Sequence, residues 1–552
     1  MSTPRSSRAF VAAAEALGWV TVALLAWGGF CVQQGTATLA VVDVGLIGAP
    51  WLLLLGTGVL AGALRRLEDV PILRRAHALS RAAAAHPFLA LSAISGAYCA
   101  VLLFHGFRAY AVHSAGAYDL GIFDQVVWAT LHGAPLRSSL KGDVSILGDH
   151  FSPILALLAP AYLLWDDARC LLLLQTLAIA AGIVPAYLLA RRRFGAGPLS
   201  IVWAAAYLAY APTRNVNSYH FHPVALALPL LLSAAWCLER GRRTWFVVAL
   251  LLASACQENV PLVVAGWGAA LLVSRPRRPA LGAAMAAGGL AAFLILVLLV
   301  IPRFARAESF SYLSRYHQLG GGVGEILLTL LSRPWLLVKA LVWPPPKLEY
   351  LLRTFLPFAF LPFAPGGRRW LLPLAPVLLQ NTLSAYPPMY SVAFQYTAPM
   401  TPFVLLGAMD GARTLLDRVT PLSRFPVTGR RIALALAVGL VTAGGESQVW
   451  QARQLRWDPR FARIEPVLAS IPRSASVSAQ AGVFSHVSHR HHVYLFPDRV
   501  GVADFVVLDR AGFLYSWQLS RAEYRREIEA LPGLGYALVR AQDGFLLFRK
   551  TR

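Results

Sequence analysis

Apolar stretches long enough to cross a bilayer, about 20 residues each, recur along most of this chain, and arginines cluster in the short segments between them. The pattern predicts spans near 10–34, 41–64, 88–112, 168–190, 198–212, 222–238, 243–256, 260–273, 279–301, 348–364, 368–384, 392–412 and 431–449, about 13 in all. The first is too long and too poorly flanked for a cleaved signal peptide. Arg65, Arg66, Arg74, Arg75 and Arg81 mark the loop after the second span as cytoplasmic. With residues 152–165 lying in the interface rather than crossing, Arg191–Arg193, Arg240–Arg243, Arg275–Arg278, Arg368–Arg369 and the linker 413–431 all fall on that same side. The amino terminus is then cytoplasmic, the carboxyl terminus extracytoplasmic, and Gln257–Pro261 an outer turn.

From about Arg453 the pattern changes. Strand-like SVSAQ, HHVYLF and ADFVVLD alternate with helix-like SRAEYRREIEAL, and GYALVRAQDGFLLFRK reads as a hairpin turning at Asp543–Gly544. The expected organisation is two spans and a basic loop over 1–87, a transmembrane domain over 88–449 with an outer acidic loop at 113–167, and a small extracytoplasmic α/β domain over 450–552. The fold class is a mainly α, polytopic helical bundle.

Composition agrees with this pattern. Hydrophobic residues make up 57% and charged residues 14%, with a mean hydropathy of +0.56, which suits a membrane protein and excludes an ordinary soluble enzyme. The net charge of +23 is spread over loop clusters, so it reads as topology rather than as a nucleic-acid groove. The five cysteines show no paired spacing that would indicate a disulfide framework or zinc site.

The densest chemistry is a polar island, Tyr118–Pro153, directly after the third span. It holds Asp119, Asp124, Gln125, Asp143, Asp149 and His150, and acids at a membrane face are costly unless they are used or paired. Asn215–Pro223 with His220 and His222, the turn around Glu258, and Gln395–Tyr396 fall on the same outer face. Such a set can bind a phosphate through cations while a carboxylate takes a proton. Plainer roles exist: Asp149 suits a helix N-cap, and Asp119 and Asp124, five residues apart, need not share a helix face. His486, His489, His491 and His492 lack a nearby cysteine or carboxylate set in sequence, and no metal site is assigned to them.

The blocks DLGIFDQ (119–125), LGDHFSPIL (147–155), FHP (221–223), QEN (257–259) and QYTAPMTPF (395–403) resemble, in matching order over roughly 88–510, the bacterial polytopic family known as domain of unknown function 2079. A looser resemblance is to C-type glycosyltransferases such as lipid A aminoarabinose transferases and protein O-mannosyltransferases. There Asp119 matches an acidic position opening the first outer loop, Asp149–His150 with Ser152–Pro153 a second motif, and Glu258–Pro261 a polar turn. The chain departs by having Asp119–Leu120 where an Asp-Glu pair is usual and His150 where a lysine is usual.

The resemblance implies an enzyme of the bacterial inner membrane that transfers a sugar from a polyprenyl-phosphate donor to an outer-face acceptor of unknown identity. The catalytic candidates are Asp119, as general base, and Glu258, which with His222 shapes the sugar pocket. Substrate binding is expected from Asp124, Gln125, Asp149, His150, His220, His222, Gln395 and Tyr396, with Lys141 or Arg137 beside the phosphate. No organic cofactor is expected, though the acidic set leaves room for a divalent cation. The alternatives are a transporter or flippase of a lipid-linked sugar, or a non-catalytic envelope scaffold.

Overall fold

The computed structural model describes residues 71–274, 276–305, 311–419, 455–511 and 519–551, with isolated positions between 429 and 440. The spans expected near 10–34 and 41–64 lie outside these residues, as does most of 431–449.

Prolines open many of the helices, where a missing N–H costs nothing and the fixed φ already suits the helix. Pro87–Ala111, Pro198–Ala209 and Pro279–Ile295 begin this way. Among the described residues, Pro87–Ala111, Arg169–Phe194 and Pro279–Phe304 are long and apolar enough to cross a membrane. Pro223–Glu239, Arg243–Ser254 and Val260–Val273 are apolar but shorter, which matches the short limbs expected around Glu258. Residues Ile154–Leu158 and Ala159–Leu163 form a short broken helix that exposes Leu157, Leu163 and Leu164, as an interface-lying piece does.

Two expected spans differ. Residues 348–364 do not form one helix: Pro345–Phe355 stops, and Ala359 and Phe360 turn left-handed between two short helical turns. Pro357 and Pro362 remove donors and clash with the preceding turn, so a continuous helix cannot pass them. The 392–412 span begins only at Thr401, after an irregular stretch that brings Gln395 and Tyr396 to the site.

The helices have two chemically distinct ends. At one, Arg193 bridges Asp410 (2.6 Å) and Glu239 (2.8 Å), Arg369 also binds Asp410 (2.6 Å), and Arg413 donates to the Arg193 carbonyl (2.7 Å). His222 lies just before the helix that ends at Glu239, and Tyr396 packs beyond the far end of the helix that begins near Arg369, where Asn381 donates to its carbonyl (3.2 Å). The clustered arginines thus gather at one end and the polar candidates at the other.

The carboxyl-terminal residues form a five-stranded sheet in the spatial order 493–495, 477–479, 505–509, 545–550, 536–542. The first three strands are parallel and the last two antiparallel. The hairpin turns where expected, with Asp543 and Gly544 both at positive φ, the geometry of a type I′ turn. Helix Arg521–Ala530 starts with a capping box between Ser520 and Glu523. This sheet is not freestanding. Val477, Phe484, Val493 and Leu547 share one hydrophobic core with Leu120, Phe123, Val126 and Trp128 of the polar island.

Candidate functional site

Asp119 sits on a single widened turn, Ala117–Gly121, that leads into helix Ile122–Leu131. Such turns are rare and concentrate at functional sites. The turn is pressed from behind: a Cβ on Gly121 would lie 2.5 Å from the Phe484 ring, so only glycine permits the approach. A carboxylate oxygen of Asp119 lies 3.4 Å from Nε2 of the buried His222.

His222 is held by the chain around it. Gln175, fully buried in Arg169–Ala181, accepts from the His222 N–H (2.8 Å) and donates to the His220 carbonyl (2.6 Å). His220 adopts a left-handed φ of 54°. Desolvation pulls its imidazole down to about 4, so it is neutral. Tyr219 stacks on the His222 ring at 5.5 Å.

Both oxygens of Glu258 are engaged. His150 Nδ1 contacts Oε1 (2.9 Å) and the Phe151 N–H donates to Oε2 (3.1 Å). Two further bonds stitch the same loop to the same turn, from Ser152 Oγ to the Cys256 carbonyl (2.8 Å) and from the Ile154 N–H to the Ala255 carbonyl (3.1 Å). Burial works against the His150 imidazolium, but the Glu258 carboxylate, with Asp149, outweighs it and raises the pKa. Asp149 accepts from Tyr312 (2.6 Å) and pairs with Lys141 (3.3 Å). Its burial raises the pKa, yet His150 and Lys141 more than offset that and hold the carboxyl below its usual range. Gly148 allows this packing, since a Cβ there would strike the Phe304 backbone at 2.5 Å.

Arg315 closes the circuit. Its guanidinium lies over Tyr312 (4.5 Å), Tyr386 (4.8 Å) and Tyr396 (5.9 Å) and reaches the Met389 sulfur (3.9 Å). Tyr312 stacks on His150 (4.9 Å), and Lys141 lies over the Tyr118 ring (5.2 Å), next to Asp119. These contacts link Asp119, His222, Asp149, His150, Glu258 and Tyr396 into one polar cluster, which we take as the candidate cleft. His220 borders it through its backbone, and Gln395 buries an amide oxygen that has no hydrogen-bond partner.

Three of the expected residues make their contacts elsewhere. Asp124 is fully buried and turned away from the cleft, accepting from Tyr162 and Ser488 and lying 3.1 Å from His489 Nε2. Gln125 likewise spends its amide on Ser139 (2.7 Å) and the Arg490 carbonyl (3.2 Å). Both dock the carboxyl-terminal sheet rather than line the cleft, because the turn at 117–121 rotates them away from Asp119. Arg137 pairs with Asp143 (3.1 Å), half exposed, and is not at the phosphate position expected of it.

Tyr312, Arg315, Tyr219 and Gln175 are members of the site that motif reading did not single out. The one sequence signal was an arginine between tyrosines, YLSRY, in a loop following a long apolar helix.

Apolar helices surrounding a polar cleft at one end define a helical membrane protein. A family model described as "Predicted membrane protein (DUF2079)" matches residues 110–547, and the chain belongs to that family. The match runs through the carboxyl-terminal sheet, further than the resemblance over 88–510 reached. No curated protein matches the chain. Among solved structures, the chain is similar to ArnT of Cupriavidus metallidurans bound to undecaprenyl phosphate (13% identity, TM-score 0.46, 83% of this chain and 98% of that one). It is also similar to a mycobacterial arabinofuranosyltransferase, AftD (13%, 0.42, 84% and 40%). The Archaeoglobus fulgidus oligosaccharyltransferase complexed with zinc and sulfate is more distant (11%, 0.36, 76% and 67%).

Proposed function

We propose that this protein is a membrane glycosyltransferase whose donor is a sugar on a polyprenyl phosphate. The observation that carries the reading is the pairing, around one cleft, of a partly exposed carboxylate, Asp119, with three cationic groups, Lys141, His150 and Arg315. A carboxylate next to a histidine can take the proton from an acceptor hydroxyl. Cations opposite it can accept the charge of a departing phosphate.

In the proposed step the acceptor oxygen attacks the anomeric carbon, and the carbon–oxygen bond to phosphate breaks. The phosphate leaves with the electron pair and the hydroxyl proton passes to Asp119. Glu258 raises the His150 pKa, which favours the protonated ring and so a charged donor to the phosphate. Glu258 is a positioning residue, since both of its oxygens are taken. The exposed leucines at 157, 163 and 164, directly after the His150 loop, give the donor's hydrocarbon chain an apolar path to the cleft.

The test is release of free polyprenyl phosphate from a panel of polyprenyl-phosphate sugars by purified protein, read by mass spectrometry beside Asp119→Asn. Turnover in the parent and its loss in the variant supports the reading. Turnover that survives the substitution keeps the enzyme and removes Asp119 as base. Saturable donor binding without turnover points to transport.

A further inference from the structure

A cavity of about 590 Å³ lies at the other end of the bundle from the Asp119 cleft, among the arginines that mark the expected cytoplasmic side. Sites that take small molecules and headgroups run from about 300 to 1,000 Å³. One wall is the end of helix Val260–Val273 with Ser274. A second is the segment around Gly366 and Arg368, which leads into helix Leu371–Leu383, and a third runs from Asp410 to Asp417 at the end of helix Thr401–Thr414. The second and third walls are pressed together: a Cβ on Gly366 would strike the Thr414 hydroxyl and the Asp410 carbonyl.

The lining holds three arginines and two aspartates, and both acids are already matched. Asp410 accepts from Arg193 behind it (2.6 Å), from Arg369 (2.6 Å) and from the Trp370 indole N–H (2.5 Å). Asp417 pairs with Arg413 (2.6 Å). Arg368 is held differently. Its Nε donates to the Phe363 carbonyl (3.0 Å), an acceptor that fixes one edge of the guanidinium without cancelling its charge. An arginine that only marks sidedness needs no fixed geometry, whereas a held guanidinium at the wall of a cavity is set to bind a phosphate through paired N–H groups. The same cavity has an apolar side. Val273 and Leu372 line it with exposed side chains, and the Phe363 ring is exposed as well. A free anion gains nothing from that surface, but a lipid with a charged headgroup matches both halves.

We propose that this cavity binds the phosphate headgroup of an anionic membrane phospholipid, with Arg368 as the principal charged donor and Val273 and Leu372 against the start of the acyl chains. The bound lipid bridges helix Val260–Val273, the Gly366–Arg368 segment and helix Thr401–Thr414, and it stabilises the folded chain by mass action. The site stands apart from the Asp119 cleft and does not depend on the reaction proposed there.

The experiment is native mass spectrometry and thermal unfolding of the delipidated full-length chain in detergent, titrated with phosphatidylglycerol, phosphatidylcholine or glycerol phosphate. The parent is expected to retain one phosphatidylglycerol and to melt at a higher temperature with it, with phosphatidylcholine far weaker. Arg368→Gln should weaken phosphatidylglycerol binding roughly 10- to 100-fold, the range of a hydrogen bond to a charged group, and Arg368→Lys should fall between the two. Arg240 caps the helix that ends at Glu239, at the same end of the bundle but outside the cavity, so Arg240→Gln should keep the parent's affinity. In the parent, the lipid should shield Arg368 from phenylglyoxal more than it shields Arg240, read by peptide mapping, and this decides where a variant does not fold. Equal binding of phosphatidylcholine, equal losses in Arg368→Gln and Arg240→Gln, or no shielding of Arg368 overturns the proposal. Displacement by glycerol phosphate at the lipid's own concentration overturns the lipid as the source and leaves a site for a soluble phosphate.

Discussion

At the scale of single residues, the cleft separates a loosely held carboxylate from a fixed one. Asp119 has one loose contact, at 3.4 Å to His222, whereas Glu258 has both oxygens committed. Asp119→Asn should therefore lower turnover by roughly 100- to 10,000-fold with little change in melting temperature, checked by donor-release kinetics and thermal unfolding. Glu258→Gln should instead lower the melting temperature, by about 1–3 kcal/mol of lost stability, and shift the pH response. The direction follows from His150, whose folded pKa is raised. Its contribution is complete below the ordinary histidine value near 6.5, and is lost as pH rises through the elevated folded value. Asp149 acts in the opposite sense: its lowered folded pKa makes its contribution complete above about 3.9 and lost only as pH falls further. Near neutrality the alkaline side thus fails first, and in Glu258→Gln a melting series from pH 6 to 9 should place that failure at lower pH. Asp119 and Glu258 were legible because a carboxylate in an apolar setting is costly. Arg315 was not, because an arginine among tyrosines in a loop reads equally well as an interface anchor.

At the scale of elements, the helix after Asp119 is divided between two tasks. Its start presents Asp119 to the cleft, and one turn later Asp124 and Gln125 bind the carboxyl-terminal sheet. Spacing alone warned that Asp119 and Asp124 need not share a face, but which side Asp124 takes depends on residues more than 360 positions away. His489 lies between Asp124 (3.1 Å) and Asp166 (2.8 Å). Burial opposes its charge, but Asp124 and Asp166 outweigh burial and raise the pKa. Asp124→Ala leaves His489 with Asp166 alone and takes away the acceptor of the buried Tyr162 hydroxyl, so it should cost about 1–3 kcal/mol and loosen the sheet. Limited proteolysis releasing fragments from 455 onward measures this. The carboxyl-terminal hairpin was fully legible, since Asp-Gly between alternating apolar runs is a local signal. The break at 356–363 was under-read because two Leu-Pro-Phe repeats keep the hydropathy of a span while prolines forbid the helix.

At the scale of the whole molecule, the arginine clusters and the polar cleft mark opposite ends of the bundle, which the charge pattern had indicated. Helices Val323–Ser332 and Trp335–Val342 have no fully buried residue, and Leu328, Leu331, Trp335 and the following Trp343 are exposed. An apolar surface of that kind needs a cover. In vesicles containing brominated lipid, Trp335 and Trp343 should be strongly quenched, and their replacement by Tyr should remove most of that signal. The pattern of apolar runs did not show that the sheet and the polar island share a core, because periodicity describes each element's faces but not which element covers them.

That shared core sets an order of events in the cell. The Gln125 side chain finds its partner carbonyl at Arg490, 365 residues later. At about 5–20 residues per second, the ribosome needs roughly 20 to 70 seconds to travel between them. For that interval the loop carrying Asp119 waits at the membrane without the residues that hold its back. A nascent or truncated chain can be inserted and oriented yet lack a finished cleft, so the turnover proposed for it would begin only when synthesis is nearly complete.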